Sequence, residues 1–260
     1  MLPAPRDITA PGHKAIRVLM AFARSGGTYA NRVLGAHPGF AVLSEVNPAF
    51  SARPVAWQAA NWLGLCGTEQ GAQDLARKGF GEQVRIMNEA AQAQGRQLVL
   101  RDWATVNFLP GAWRGLSVPS HRLETLVYLR RAGLQARVAV IVREARAVYR
   151  SVARNFVQYQ HLGLDEFAEH YLRYAQAVRL HPKFKLEDLS ADPEQHWQHL
   201  AKTLKFPFDA SSLLNYQKFS NCTGDSTLAP PPPADEGQLA ERSEQHNERL
   251  DEANTILGYT

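Results

Sequence analysis

The chain has 260 residues, 45% hydrophobic and 21% charged, with a net charge of +4 and a pI near 9.1. That composition excludes a disordered or fibrous chain and fits one large α/β domain or two small ones. The mild basic excess suits a small polyanionic ligand as well as nucleic acid and decides nothing by itself; no nucleic-acid partner is expected. Cys66 and Cys222 have neither metal nor redox spacing, so two buried, reduced thiols in a reducing compartment are expected. Residues 1–14 are Pro-rich and polar, without the apolar core of a secretory signal. No stretch approaches the ~20 apolar residues of a membrane helix. The expectation is a cytoplasmic protein with no membrane partner.

The first informative stretch is Val18 to Ala23, an apolar run of strand character that ends in Arg24-Ser25-Gly26-Gly27-Thr28. Helical spacing follows at once, through Ala30, Val33 and Leu34. A strand that breaks into a glycine turn and opens a helix reads equally as a plain tight turn or as a phosphate cradle. The G-x-x-x-x-G-K-[ST] pattern of ATP loops is absent, and the cation, Arg24, precedes the glycines. His37-Pro38-Gly39 closes the helix. Phe40 to Leu43 is a short strand, and Glu45 lies just beyond it, at the edge where open α/β sheets bind ligands.

Residues 51–95 carry Trp57, Trp62, Leu63, Leu75, Val84, Ile86 and Met87 at helical spacing, which predicts two or three helices on one face of a sheet. Gln97 to Trp103 is a second buried strand ending in Arg101 and Asp102. Val106 to Pro119 reads as an irregular binding loop, and a helix follows from Ser120 or Glu124 to Ala132. Arg137 to Arg143 is the third strong strand, leading into a helix with Val148, Ser151, Val152 and Asn155. Asp165 to Leu180 is an amphipathic helix. Phe184 to Leu189 is expected as a fourth strand, with Ser190 or Asp192 capping a helix from Pro193 to about Leu204. Residues 230–233 are a proline run, and Gln238 to Leu257 is a charged closing helix. Strands alternating with helices predict an α/β fold, a three-layer parallel sheet flanked by helices. With no interdomain linker visible, residues 1–260 read as a single domain with an N-terminal tail (1–14), a Pro-rich surface crossing (229–237) and a C-terminal helix (238–257).

These residues resemble a known family. Arg24-Ser25-Gly26-Gly27-Thr28, with Leu34, His37-Pro38 and Glu45, is similar to the 5′-phosphosulfate loop of PAPS-dependent sulfotransferases, especially the bacterial and tyrosylprotein types. Val142-Arg143-Glu144-Ala145-Arg146 with Ser151 resembles their second motif, which grips the 3′-phosphate. Leu186-Glu187-Asp188-Leu189 with Pro193, and Leu257-Gly258-Tyr259, resemble their later strand–helix and closing motifs. The sequence departs from the pattern at Ala23, Gly27, Ala145 and Leu186. The resemblance implies the P-loop NTPase-like sulfotransferase fold and sulfuryl transfer from PAPS, without a metal, to a hydroxyl or amine on a small-molecule, carbohydrate or peptide acceptor.

It further implies that Arg24, Ser25, Gly26, Gly27, Thr28 and Tyr29 hold the 5′-phosphosulfate, and that Arg143 and Ser151 hold the 3′-phosphate. Arg24 and Arg101 would answer the charge on the leaving group. Glu45 matches the spacing of the family's glutamate base, with Asp102 and His121 as the other candidates. Trp103 to His121 and Phe219 to Asp235 would line the acceptor pocket, where Trp103, Phe108 and Trp113 suggest an apolar or ring-bearing acceptor. His196 and His199 share a helix face with no third ligand and read as surface residues. Two other readings stand beside this one: a non-catalytic relative that binds a nucleotide or partner, and a small-molecule P-loop kinase.

Overall fold

Continuous apolar runs at Val18–Ala23, Leu98–Leu100 and Val138–Val142 can be buried only if both faces of a sheet are covered. A computed structural model, which describes residues 15–111, 118–224 and 244–259, meets that requirement. Five strands, β1 (Ile16–Ala21), β2 (Phe40–Val46), β3 (Gln97–Trp103), β4 (Ala136–Val142) and β5 (Lys183–Lys185), form one sheet in the order β2-β3-β1-β4-β5. Every pairing is parallel.

Side chains alternate between the two faces with the strand period of two. Ile16, Val18, Met20 and Phe22 of β1 and its extension join Leu98, Leu100, Val140 and Val142 in the larger core. Leu19, Ala21, Val99, Ala139 and Ile141 point to the smaller one. The larger face is covered by α2 (Val55–Asn61), α4 (Phe80–Ala93), α6 (Glu124–Arg131), α7 (Ala145–Asn155), α8 (Leu164–Val178) and α12 (Glu248–Leu257). The smaller face is covered by α1 (Gly27–Gly35) and α10 (Pro193–Leu204). Among the described residues the remaining α-helices are α3 (Glu69–Ala76), α5 (Thr105–Phe108), α9 (Leu186–Ala191) and α11 (Ser211–Asn215). The connection out of β1 therefore crosses one face and those out of β3 and β4 cross the other. That divergence opens a crevice at the carboxyl end of β1.

The α/β parallel sheet and its first three long strands match the expectation. Three details differ. Phe184 to Leu189 is not a strand: β5 ends at Lys185, and Leu186–Ala191 is helical. Glu187 and Asp188 favour a helix start electrostatically, and Leu189 is buried against the smaller core. The loop expected over Val106 to Pro119 contains part of helix α5. The closing helix begins at Glu248, because Asn247 caps it by accepting from the Leu250 amide at 3.1 Å. The same Asn247 donates to Asp165 Oδ1 at 2.7 Å and so ties α12 to α8. The tail at 1–14, the crossing at 229–237 and Trp113 lie outside the described residues, as does the start of the expected closing helix. Among the described residues no helix is long and apolar enough to cross a membrane.

Asn247→Ala removes both the cap and the link to α8. It should cost about 1–2 kcal/mol, read as a lower urea midpoint with an unchanged denaturant slope.

Candidate active site

β1 ends beneath a packed aromatic group. Phe22 meets Tyr171 edge-on at 5.0 Å and Tyr174 at 5.0 Å, so α8 fixes the point where the chain leaves the sheet. The chain then turns sharply: Arg24 has φ 67° and Gly26 has φ 89°. A left-handed conformation strains a residue such as Arg24, whereas glycine accepts it freely. Gly26 is the N-cap of α1 and supplies no side-chain cap, so the first amides of the helix are left for another acceptor. They border a cavity of about 680 Å³ whose walls include Arg24, Gly26, Gly27, Thr28, Glu45, Arg101 and Arg143. Convergent amides at a helix start, with cations beside them, make an anion site. Close packing defines its rear: a Cβ on Gly26 would lie 2.4 Å from Leu186 Cδ1, and one on Gly27 3.0 Å from Arg101 Nε.

On one side of this turn stands an ion pair. The β2–β3 register shifts between Leu43 and Val46, and Glu45 takes φ 49° within the irregularity. Bulges re-aim side chains in this way. Glu45 Oε1 accepts from Arg101 Nη2 at 2.8 Å, with both side chains largely buried. Arg101 also reaches Thr28 Oγ1 (3.3 Å), the Thr223 carbonyl (3.0 Å) and Ser44 Oγ (3.4 Å). Ser44 in turn accepts from the Thr223 amide at 3.0 Å, which draws the 220–224 segment over the pair. Gly224 closes it so tightly that a Cβ there would meet Thr28 Oγ1 at 2.3 Å.

On the other side stands a second group. Arg24 Nε donates to Ser151 Oγ at 2.9 Å, and Arg143 Nη1 donates to the Arg24 carbonyl at 3.1 Å. Arg143 is placed by the end of β4 and by the Tyr171 hydroxyl, which donates to its carbonyl at 3.1 Å. Ser151 is placed by α7, whose start is locked in two ways. Glu144 caps the Arg146 and Ala147 amides, and Asn254 of α12 bonds both the Ala145 amide and the Glu144 carboxylate.

Asp102, the next-to-last residue of β3, is buried and borders the cavity. Its Oδ1 accepts from Thr125 Oγ1 (2.6 Å) and Asn47 Nδ2 (3.0 Å), while Oδ2 is buried with no hydrogen-bond partner. Burial pushes its pKa up to about 6, against the opposing pull of the Thr125 and Asn47 side chains and the Trp103 backbone amide. His121 instead bonds His170, Nε2 to Nδ1 at 3.1 Å, away from the cavity lining. Burial, more than the nearby Arg173, lowers its pKa.

The structure thus brings Arg24, Gly26, Gly27, Thr28, Glu45, Arg101 and Arg143 around one cavity, with Ser151 bonded to its edge. Ser25 is buried beneath the turn. Tyr29 turns the other way: its hydroxyl donates to the Leu189 carbonyl and accepts from Trp197 Nε1, which leaves only its backbone on the cradle side. Phe108 is fully buried against Tyr174 instead of lining the cavity, whereas Trp103, Thr223 and Gly224 line it. Ala52, Asn155, Phe156 and Leu186 also line it. The sequence marks none of them for the site: Ala52 and Phe156 carry no chemical signature, and Leu186 and Asn155 stand out only as parts of their elements.

No family model and no curated protein matches the chain in sequence. Solved structures do match in shape. The sulfotransferase domain from the curacin biosynthetic pathway superposes with a TM-score of 0.60 at 16% identity, covering 96% of this chain and 99% of that one. The sulfotransferase domain of the Synechococcus PCC 7002 olefin synthase gives 0.55 at 16%, covering 94% and 95%. The fold is that of the sulfotransferases. Within this sulfotransferase fold, the glycine turn, the Glu45–Arg101 pair and the Arg24–Ser151–Arg143 group occupy the carboxyl edge of the sheet.

Two outcomes are expected. Gly26→Ala forces a side chain into a left-handed position against Leu186, costing about 1–2 kcal/mol in chemical denaturation. For Asp102, the unfolded carboxyl releases its proton near pH 3.8 and the folded one near 6. Between those values the folded state binds more protons, so this residue makes stability fall as pH rises. Urea unfolding across that interval should therefore show a smaller fall for Asp102→Asn than for the wild type.

Proposed function

We propose that the chain transfers a sulfuryl group from PAPS to a hydroxyl or amine. One observation carries this reading: a glycine turn opening a helix is flanked, within one cavity, by a carboxylate–guanidinium pair on one side and a two-arginine, one-serine group on the other. The second group suits a nucleotide that carries a phosphate away from its 5′ end, which the ATP of a kinase lacks. PAPS, when bound, supplies the sulfuryl group and a phosphate leaving group.

The chain's own residues then have separable tasks. The amides of Gly26, Gly27 and Thr28, with the Thr28 hydroxyl, hold the 5′-phosphosulfate. Arg143 forks onto the 3′-phosphate and Ser151 donates beside it. Arg24, bonded to Ser151, supports that same end. Arg101, between Thr28 and Glu45, answers the negative charge that grows on the leaving phosphate. Glu45 takes the proton of the acceptor hydroxyl or amine as the oxygen or nitrogen attacks sulfur. Holding donor and acceptor in line accounts for most of the rate in a transfer of this kind.

Adenosine 3′,5′-bisphosphate should bind the wild type by calorimetry. Arg143→Ala should weaken that binding roughly 10- to 100-fold. Glu45→Gln should keep the binding and lower transfer from radiolabelled PAPS by roughly 10²- to 10⁴-fold. A wild type that does not bind the bisphosphate, or a Glu45→Gln enzyme as active as the wild type, would refute the reading.

A further inference from the structure

A hydroxyl inside a helix ordinarily turns back on the carbonyl four residues earlier. Ser190 and Thr255 do this, donating to the Leu186 and Asp251 carbonyls at 2.8 and 3.0 Å. Ser151, inside α7, does the reverse. Its Oγ accepts from Arg24 Nε at 2.9 Å and from Asn155 Nδ2 at 3.3 Å. Neither donor can change its role. A guanidinium has no acceptor atom. The Asn155 amide is held one way round, because the same Nδ2 donates to the Ser151 carbonyl at 2.7 Å and a carbonyl only accepts. A hydroxyl carries one proton and two lone pairs. With both lone pairs taken, Ser151 can only donate, and no described residue accepts from it.

The surroundings have the same polarity. Arg24, Arg143 and Asn155 line the cavity, and Arg143 Nη1 already engages the Arg24 carbonyl. This end therefore meets a ligand with two guanidiniums and one aimed hydroxyl. An ionised phosphate accepts from all three and needs to donate nothing. A ribose hydroxyl in its place brings a proton that a set of donors cannot take.

Resting on the sulfuryl-transfer reading, we infer that Asn155 is a positioning residue for the second phosphate of the donor nucleotide. It acts through Ser151. Asn155 fills one lone pair while Arg24 fills the other, which fixes the hydroxyl as a one-way donor and sharpens the choice of a 3′-phosphate over a 3′-hydroxyl. The last residue of α7 can do this because side chains four apart on a helix are neighbours.

Adenosine 3′,5′-bisphosphate and AMP differ only in the 3′-phosphate, so the ratio of their dissociation constants reads this end of the site alone. The bisphosphate is titrated calorimetrically and AMP in competition with it. The wild type should favour the bisphosphate by at least ~100-fold. Asn155→Leu, which keeps the size and loses the donor, should cut that preference about 5-fold, and Ser151→Ala about 10-fold. Because one residue acts through the other, the double variant should match Ser151→Ala within about twofold, short of the ~50-fold loss that independent effects would give. AMP should bind every variant within about twofold of the wild type, as a folded chain with an intact 5′ end requires. Losses that multiply in the double variant would overturn the inference. So would an Asn155→Leu protein with the wild-type ratio, or one that loses AMP and the bisphosphate equally, which marks a purely structural role. In those three cases the sulfuryl-transfer reading stands, provided the wild type keeps its preference. A wild type that binds both nucleotides equally, or neither, refutes that reading and the inference with it.

Discussion

A single guanidinium ties together segments that are far apart in the chain. Arg101, at the end of the second strand in the sheet order, contacts Glu45 and Ser44 from β2, Thr28 from the first turn of α1, and the Thr223 carbonyl from the returning segment. It also packs close to Gly27, where a Cβ would lie 3.0 Å from both Arg101 Nε and Ala21 Cβ. A buried ion pair adds little net stability, yet removing either partner strands the other charge. Its value here is geometric: it holds a carboxylate, a hydroxyl and a helix start in one fixed arrangement.

Opposite this pair, the Arg24–Ser151–Arg143 group depends on helices that never reach the cavity. α8 holds the Arg143 backbone through Tyr171, and α12 holds the start of α7 through Asn254. The closing helix is therefore part of the site's foundation. The left-handed backbone at Arg24 and Glu45 is strain that the surrounding packing must sustain. Both residues sit where chemistry is proposed.

Much of the fold was legible in the chain. Runs such as Val138–Val142 can be hidden only between two helical layers, and the break from Phe22 into Arg24-Ser25-Gly26-Gly27 marks where β1 must end. The failures have local causes. Leu186 to Leu189 reads as strand by apolar content, yet its two acids and the burial of Leu189 favour a helix. Gln238 to Leu257 reads as one helix because composition does not reveal that Asn247 starts a new one. A helix turns successive side chains by about 100°, so the Tyr29 phenol is carried round to Trp197 while its backbone stays at the turn.

By itself the sequence determined the α/β class, the order of strands and helices, and the residue types that can bind an anion. These follow from local periodicity and from the conformational demands of glycine, which need no distant partner. Only the tertiary structure decided which charges meet. Glu45 and Arg101 are 56 positions apart and Arg24 and Ser151 are 127 apart, and their pairing follows from the strand order β2-β3-β1-β4. The same order also leaves Asp102, which looked like one more strand-end acid, buried with one oxygen unsatisfied.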